Sequence, residues 1–160
     1  MVRDFDPERH RAHMSKVRTA DTIPEKLLRD FLRANGYLDD QEHQLPYKPD
    51  IVFNERKLAI FMHGCFWHRH PGCRHAYEVD EQKHPAWLVK FATNVERDKK
   101  DIRYLASHGW RTLVVWECAL DAKKRRTRFL PEVLEWIEND EKYGEIPSEP
   151  PLKKNKEHST

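Results

Sequence analysis

The sequence predicts an α/β sandwich, one mixed β-sheet with helices packed on its faces. Three observations carry this. Three stretches keep apolar residues at helical spacing, and two short apolar runs separated by turn formers have the shape of a β-hairpin. A further run, RTLVVWE from Arg111, is apolar and β-branched through its middle, as a strand covered on both faces must be, so it belongs near the centre of the sheet.

Taken in order, residues 1–20 are polar, rich in Arg and His and without sustained period; a flexible arm able to wrap a polyanion is expected there. In DTIPEKLLRDFLRANGY, Ile23, Leu27, Leu28, Phe31 and Leu32 share a helical face, with Pro24 in the first turn and Gly36 at the C-terminal cap. The hairpin is formed by DIVF from Asp50 and KLAIFM from Lys57, around Asn54, Glu55 and Arg56. From Pro85 to about His108, Leu88, Phe91, Val95, Ile102 and Leu105 keep close to a helical stripe that Gly109 closes. After the central strand, Leu130, Val133, Leu134 and Ile137 mark a last helix from about Phe129 to Tyr143. Pro, Glu and Lys then dominate, and a disordered tail is expected over 144–160. With 160 residues the chain is of single-domain size, and that domain is expected over 21–143.

Composition narrows the function only by exclusion. No apolar run approaches the roughly 20 residues of a membrane-spanning helix, and the start, MVRDFDPERHRAH, has no signal-peptide core, so a cytoplasmic protein is expected. A net charge of +2 permits nucleic-acid binding without requiring it. Three Cys are an odd number for a disulfide framework, which leaves free, catalytic or metal-bound thiols.

HGCFWHRHPGC packs Cys65, His70 and Cys73 into one loop, and Cys118 follows the central strand in WECAL. Two ligand types and four positions suit tetrahedral zinc, and a loop rich in Gly, Pro and His is not a hydrophobic core. The competing reading makes Cys118 a small buried apolar residue and the other thiols incidental. His63, His68 and His75 exceed the four ligands, so some are available for proton transfer near neutral pH. Asp50, in KPDIVF, opens the first hairpin strand, and the second ends at Met62 beside His63. A carboxylate there can share a cation with a main-chain carbonyl of the neighbouring strand, or serve only in a turn.

PDIVF, AIFMHGCFWHRHPGC, NVERDKKDIRYLASHGWRTLVVWECAL and the early SKVRTADTIPE together resemble the very-short-patch-repair (Vsr) mismatch endonucleases, collinearly from about Met14 to Leu120. The resemblance implies a PD-(D/E)XK-like, restriction-endonuclease-like fold in which His residues replace the second acid and Lys; here IFMHG stands in their place. It implies a magnesium-dependent endonuclease that nicks the T-bearing strand of double-stranded DNA on the 5′ side of a T:G mismatch, after deamination of 5-methylcytosine. Asp50 and the backbone carbonyl of Met62 would bind magnesium, His68 would transfer protons, and His63 and Glu25 would assist. Glu25 has a second explanation, since Thr22 and Glu25 are spaced as a helix capping box.

By the same resemblance Cys65, His70, Cys73 and Cys118 hold structural zinc, with His68 the substitute for His70 if the loop length differs. Phe66, Trp67 and Trp87 would enter the base stack from the major groove as an aromatic wedge. Phe66 and Trp67 are expected to stand at the surface of the zinc loop. Trp87 lies off the stripe of Leu88, Phe91 and Val95, which argues against a core role, whereas Trp110 and Trp116 suit the core. Asn94 and Met14 fall at positions of mismatch and DNA contact, and Arg97, Lys99, Lys100 and Arg103 form a basic face that is solvated or meets phosphates. A monomer is implied, with a mismatch-repair protein such as MutL as partner. Two alternatives remain: a nicking enzyme of the same fold with another lesion or site, and a zinc-stabilised DNA-binding module without catalysis.

Overall fold

The computed structural model of the chain describes residues 23–148; Met14, Thr22 and the expected arm lie outside them, as does the tail beyond 148. The element order is α1 (Ile23–Ala34), β1 (Ile51–Phe53), β2 (Leu58–His63), α2 (Pro85–Ser107), β3 (Arg111–Trp116), a 3-10 turn at Glu117–Ala119, α3 (Lys123–Glu138) and β4 (Tyr143–Ile146). The four strands form one sheet in the order β1-β2-β3-β4. β1 and β2 are the antiparallel hairpin, with Ile51 opposite Ile60, whereas β2, β3 and β4 run parallel, with Met62 beside Val115 and His63 beside Trp116. The sheet is therefore mixed, as expected, and the C-terminal ends of β2 and β3 lie together.

Alternation along the strands divides the core in two. Leu58, Ile60, Leu113 and Val115 point to the face covered by Leu28 and Leu32 of α1 and by Phe129, Val133 and Ile137 of α3. Ala59, Phe61, Val114 and Trp116 point to the other, where they meet Leu105 of α2 and the three cysteines. Both faces of β3 are thus buried, which accounts for its unbroken apolar run.

The structure corrects three expectations. The last helix begins at Lys123 and ends at Glu138, earlier at both ends than the apolar pattern suggested. Its first turn and a half is a run of cations, carrying no apolar signal. The tail does not begin at 144, because Tyr143–Ile146 form a short parallel edge strand anchored by the buried Ile146. A four-residue edge strand needs only one apolar contact, so its sequence reads as polar. On α1, Ile23 is 79% exposed, while Glu25, one turn before Leu28, takes the buried position.

Candidate active site

α2 has a buried stripe different from the one its apolar residues suggest. Trp87, Phe91, Asp101 and Leu105 are buried and Asn94 and Asp98 half-buried, so the inward positions run 87, 91, 94, 98, 101, 105 at strict helical spacing. The middle of that stripe is polar. Asp98 thereby meets the end of β2: the Nδ1–H of His68 donates to Asp98 Oδ2 at 2.6 Å, and His63 Nε2 stands 3.8 Å from Asp98 Oδ1. The His63 and His68 rings stack in parallel, 4.1 Å apart.

A carboxylate acceptor fixes which nitrogen of His68 carries the proton. Nδ1 must donate, so in the neutral ring Nε2 presents a lone pair. His63, 6% exposed, is held down to about 3 by burial and by His68, which outweigh the opposing Asp98, so its imidazole is neutral. Asp98 was not foreseen from the sequence. Its signal was available in NVERD, as a polar residue at an inward helical position once Trp87 and Phe91 define the stripe.

Across β2 lies a second acidic group. Asp50 precedes β1, and its Oδ2 accepts the Met62 N–H at 2.7 Å. In a strand the N–H and C=O of one residue face the same neighbour, so the Met62 carbonyl lies on the Asp50 side of β2. Glu25 approaches from α1. Burial, then the Glu25 carboxyl beside it, push Asp50 up to about 8, against the Met62 amide and Arg29. Arg29 pairs with Glu25 Oε2 at 3.1 Å and donates to the Asp50 carbonyl at 2.8 Å. A buried Glu25 and a half-buried Asp50 that share one guanidinium are short of positive charge, the condition a divalent cation relieves.

Cys65, His70, Cys73 and Cys118 are all buried, and their ligand atoms lie within 4.8 Å of one another. His70 Nδ1 is 3.6 Å from Cys65 Sγ and 3.5 Å from Cys118 Sγ. Zinc bonds of about 2.3 Å to sulfur and about 2.05 Å to nitrogen, at tetrahedral angles, put N and S about 3.6 Å apart. The cage fits that geometry. The hydrogen bond from Cys65 pulls the Cys118 thiol down to about 5, with His70 and Arg125 adding to it against burial, while Cys65, the donor, is pushed up. The loop is folded by its own amides, His70 N–H to Cys65 C=O at 3.0 Å and Cys73 N–H to His70 C=O at 3.2 Å. The Arg69 guanidinium bonds the carbonyls of Phe66, Ala76 and Tyr77. His75 is not part of the cage; it pairs with Asp121 at 2.9 Å.

The His70 ring stacks on Trp116 at 4.1 Å, and Trp116 meets His63 edge-on at 5.3 Å. The metal cage and the histidine pair therefore share one indole as a wall.

The aromatic residues depart from expectation. Phe66 and Trp87 are buried, not displayed, and with Phe91 they form a third cluster apart from the two main cores, against which Trp67 and Tyr77 pack. Trp87 is on the inward stripe and Phe91 gives the loop an apolar seat. Trp67 remains half-exposed, 4.5 Å beneath the Lys90 ammonium, and the Asn94 amide donates to its carbonyl at 3.2 Å.

Residues 3–74 of the chain match the family model described as DNA mismatch endonuclease Vsr. Over 130 residues, 78% of this chain and 81% of the relative, it is 43% identical to DNA mismatch endonuclease Vsr of Escherichia coli (strain K12). The chain belongs to the Vsr family. It is thus an endonuclease, a hydrolase acting on DNA, and its relatives include nicking enzymes. The Type II nicking enzyme V.XorIIP of Xanthomonas oryzae pv. oryzae is 42% identical over 121 residues, 75% of this chain and 88% of that protein. The Type II nicking enzyme V.NmeAIP of Neisseria meningitidis serogroup A is 35% identical over 125 residues, 75% and 88% of the two chains. Among the described residues, no helix is long and apolar enough to cross a membrane.

Proposed function

We propose that this Vsr-family endonuclease nicks double-stranded DNA on the 5′ side of the T in a T:G mismatch, using magnesium, and works as a cytoplasmic monomer in the repair of deaminated 5-methylcytosine. A mismatch-repair protein of the MutL kind is the proposed protein partner. The observation that carries the reading is the convergence at the end of β2. The Asp50–Glu25 pair and the His63–His68–Asp98 group flank two consecutive residues, Met62 and His63, with a four-ligand metal cage one loop away.

Asp50 and the Met62 carbonyl, with Glu25 close by, would hold magnesium, and the ion would supply a Lewis acid to offset charge developing on the scissile phosphate. His68 moves the proton. Its Nδ1 is committed to Asp98, which orients the ring and stabilises it once Nε2 has taken a proton. His63, buried and neutral, keeps the His68 ring in plane by stacking. Zinc in the cage of Cys65, His70, Cys73 and Cys118 has a structural role, fixing a loop that contains Phe66, Trp67 and His68. Phe66, Trp67 and Trp87 form the wedge, and their separation from the main cores lets that cluster open onto a base step without unfolding the sheet. Asn94 would hold the wedge through the Trp67 carbonyl, and Met14 would contact DNA from the N-terminal arm.

His68→Ala is expected to slow single-turnover nicking by about 10²- to 10⁴-fold, the range of acid–base groups. Asp98→Asn should slow it too and displace its pH profile, because an amide can donate to Nδ1 and favour the other tautomer. A His68 variant with the parent's rate at every pH would move proton transfer to His63. For specificity, a panel of duplexes differing only in one base pair should show T:G cut well ahead of matched T:A and C:G. Equal cutting throughout would favour a nicking enzyme of another specificity, and no nick with magnesium on any duplex would leave a binding module.

A further inference from the structure

α3 begins with a charge pattern that works against its own stability. Lys123, Lys124, Arg125, Arg126 and Arg128 fall within its first turn and a half, where the helix dipole is positive, and no acidic residue stands in the first turn. Two of the five are used internally. Arg125 pairs with Asp121 and Arg126 donates to the Leu120 carbonyl at 3.0 Å. Asp121 is also bonded to His75 of the metal loop, so the start of α3 is tied to that loop. Lys123, Lys124 and Arg128 are exposed, and no ion pair is recorded for them among the described residues. Lys124 and Arg128 are one turn apart on the same side of the helix; Arg128 is exposed, with its guanidinium 4.8 Å from the centre of the Phe129 ring.

Position gives this cluster its meaning. β2 and β3 are parallel, and α3 starts four residues beyond the turn that ends β3, so the cations stand at the sheet end where His63 and Met62 lie. A duplex seated there carries one charge per about 1.7 Å of axis and extends well past the cut on both sides. The half-buried Arg125 and Arg126 are tied into the fold while Lys123, Lys124 and Arg128 are exposed, the division expected of a rigid surface that follows a polyanion.

We propose that Lys123, Lys124 and Arg128 form a ledge that binds backbone phosphates of the duplex to one side of the nick. This rests on the DNA-nicking reading above and extends its contact surface beyond the catalytic groups and the wedge. The contact is independent of sequence, so it adds affinity and register without mismatch preference.

The test compares the parent with the triple variant Lys123→Ala, Lys124→Ala, Arg128→Ala, by fluorescence anisotropy on a duplex with a central T:G pair, magnesium omitted, over a salt series. Each lost phosphate contact should lower the slope of log Kd against log salt by about 0.9, and the three together by up to about 2.7. Arg56→Ala, in the hairpin turn at the opposite sheet end, should change it by far less. Trimming one duplex arm should weaken the parent's binding and leave the triple variant's nearly unchanged. Zinc content and melting temperature equal to the parent's establish that the variant is folded. A folded variant with the parent's slope overturns the ledge and points to an acidic protein segment as the occupant. A parent that neither binds nor nicks the duplex overturns the underlying reading instead.

Discussion

Asp50→Ala is expected to abolish nicking while leaving mismatch binding largely intact. The carboxylate is the proposed magnesium ligand, and it lies across β2 from the wedge, so its loss removes Lewis-acid catalysis without disturbing base insertion. A companion variant separates charge from shape. Asp50→Asn keeps an oxygen to accept the Met62 N–H but carries no charge. The sign of the linkage follows from the raised folded-state value of about 8 against an ordinary 3.8. As pH rises from about 4 to 8 the unfolded chain releases a proton that the folded metal-free chain retains, so Asp50 costs stability over that window. A bound cation offsets the cost. In magnesium-free buffer near pH 8, Asp50→Asn should therefore melt at least as high as the parent, although it is inactive. Magnesium should raise the parent's melting temperature more at pH 8 than at pH 6, and that of Asp50→Asn hardly at all. Parent-like turnover by either variant would remove Asp50 from the metal site.

The second large effect is expected at Cys118. It lies just beyond the central strand, so a metal ion shared with Cys65, His70 and Cys73 would tie their loop to the sheet. Structural zinc sites hold folding free energy of order several kcal/mol, and a three-ligand remnant binds far less well. Cys118→Ser should release zinc on dialysis, lower the melting temperature, and reduce mismatch binding and nicking together, because Phe66, Trp67 and His68 share the loop. One zinc per parent chain by metal analysis is the matching expectation. A variant that loses zinc yet melts and nicks like the parent would return the three cysteines to the role of ordinary buried thiols.

The parts of the fold legible in the sequence were those in which one pattern decides the outcome. β3 is apolar because it is buried on both faces, and the hairpin announces itself through its turn residues. β4 escaped notice because an edge strand with one anchoring residue, Ile146, carries almost no pattern. Cys65, His70 and Cys73 stand out because their side chains have few other uses in a loop. Asp98 did not, since an acid on a charged helix reads as solvated until the buried stripe is known. Apolar spacing points to Leu88 and Val95, which are no more buried than Asn94 and Asp98, whereas the inward register is set by polar contacts, Asn94 to the Trp67 carbonyl and Asp98 to His68. The exposure of the aromatics was misjudged for the same reason: Phe91 offered Phe66 and Trp87 a seat that only the helix register reveals.

Trp116 limits how such a protein can diverge over generations. Its indole lies flat against the metal-cage residue His70 on one side and meets the edge of His63 on another, and its N–H is committed to Glu145 of the edge strand at 2.8 Å. Any replacement must satisfy three neighbours at once, each belonging to a different part of the molecule. A drift in the loop that tilts His70, or in the hairpin that shifts His63, is therefore felt at the other centre through one rigid ring. A substitution that moves the Cys/His cluster or the histidine pair is expected to need a compensating change at the other.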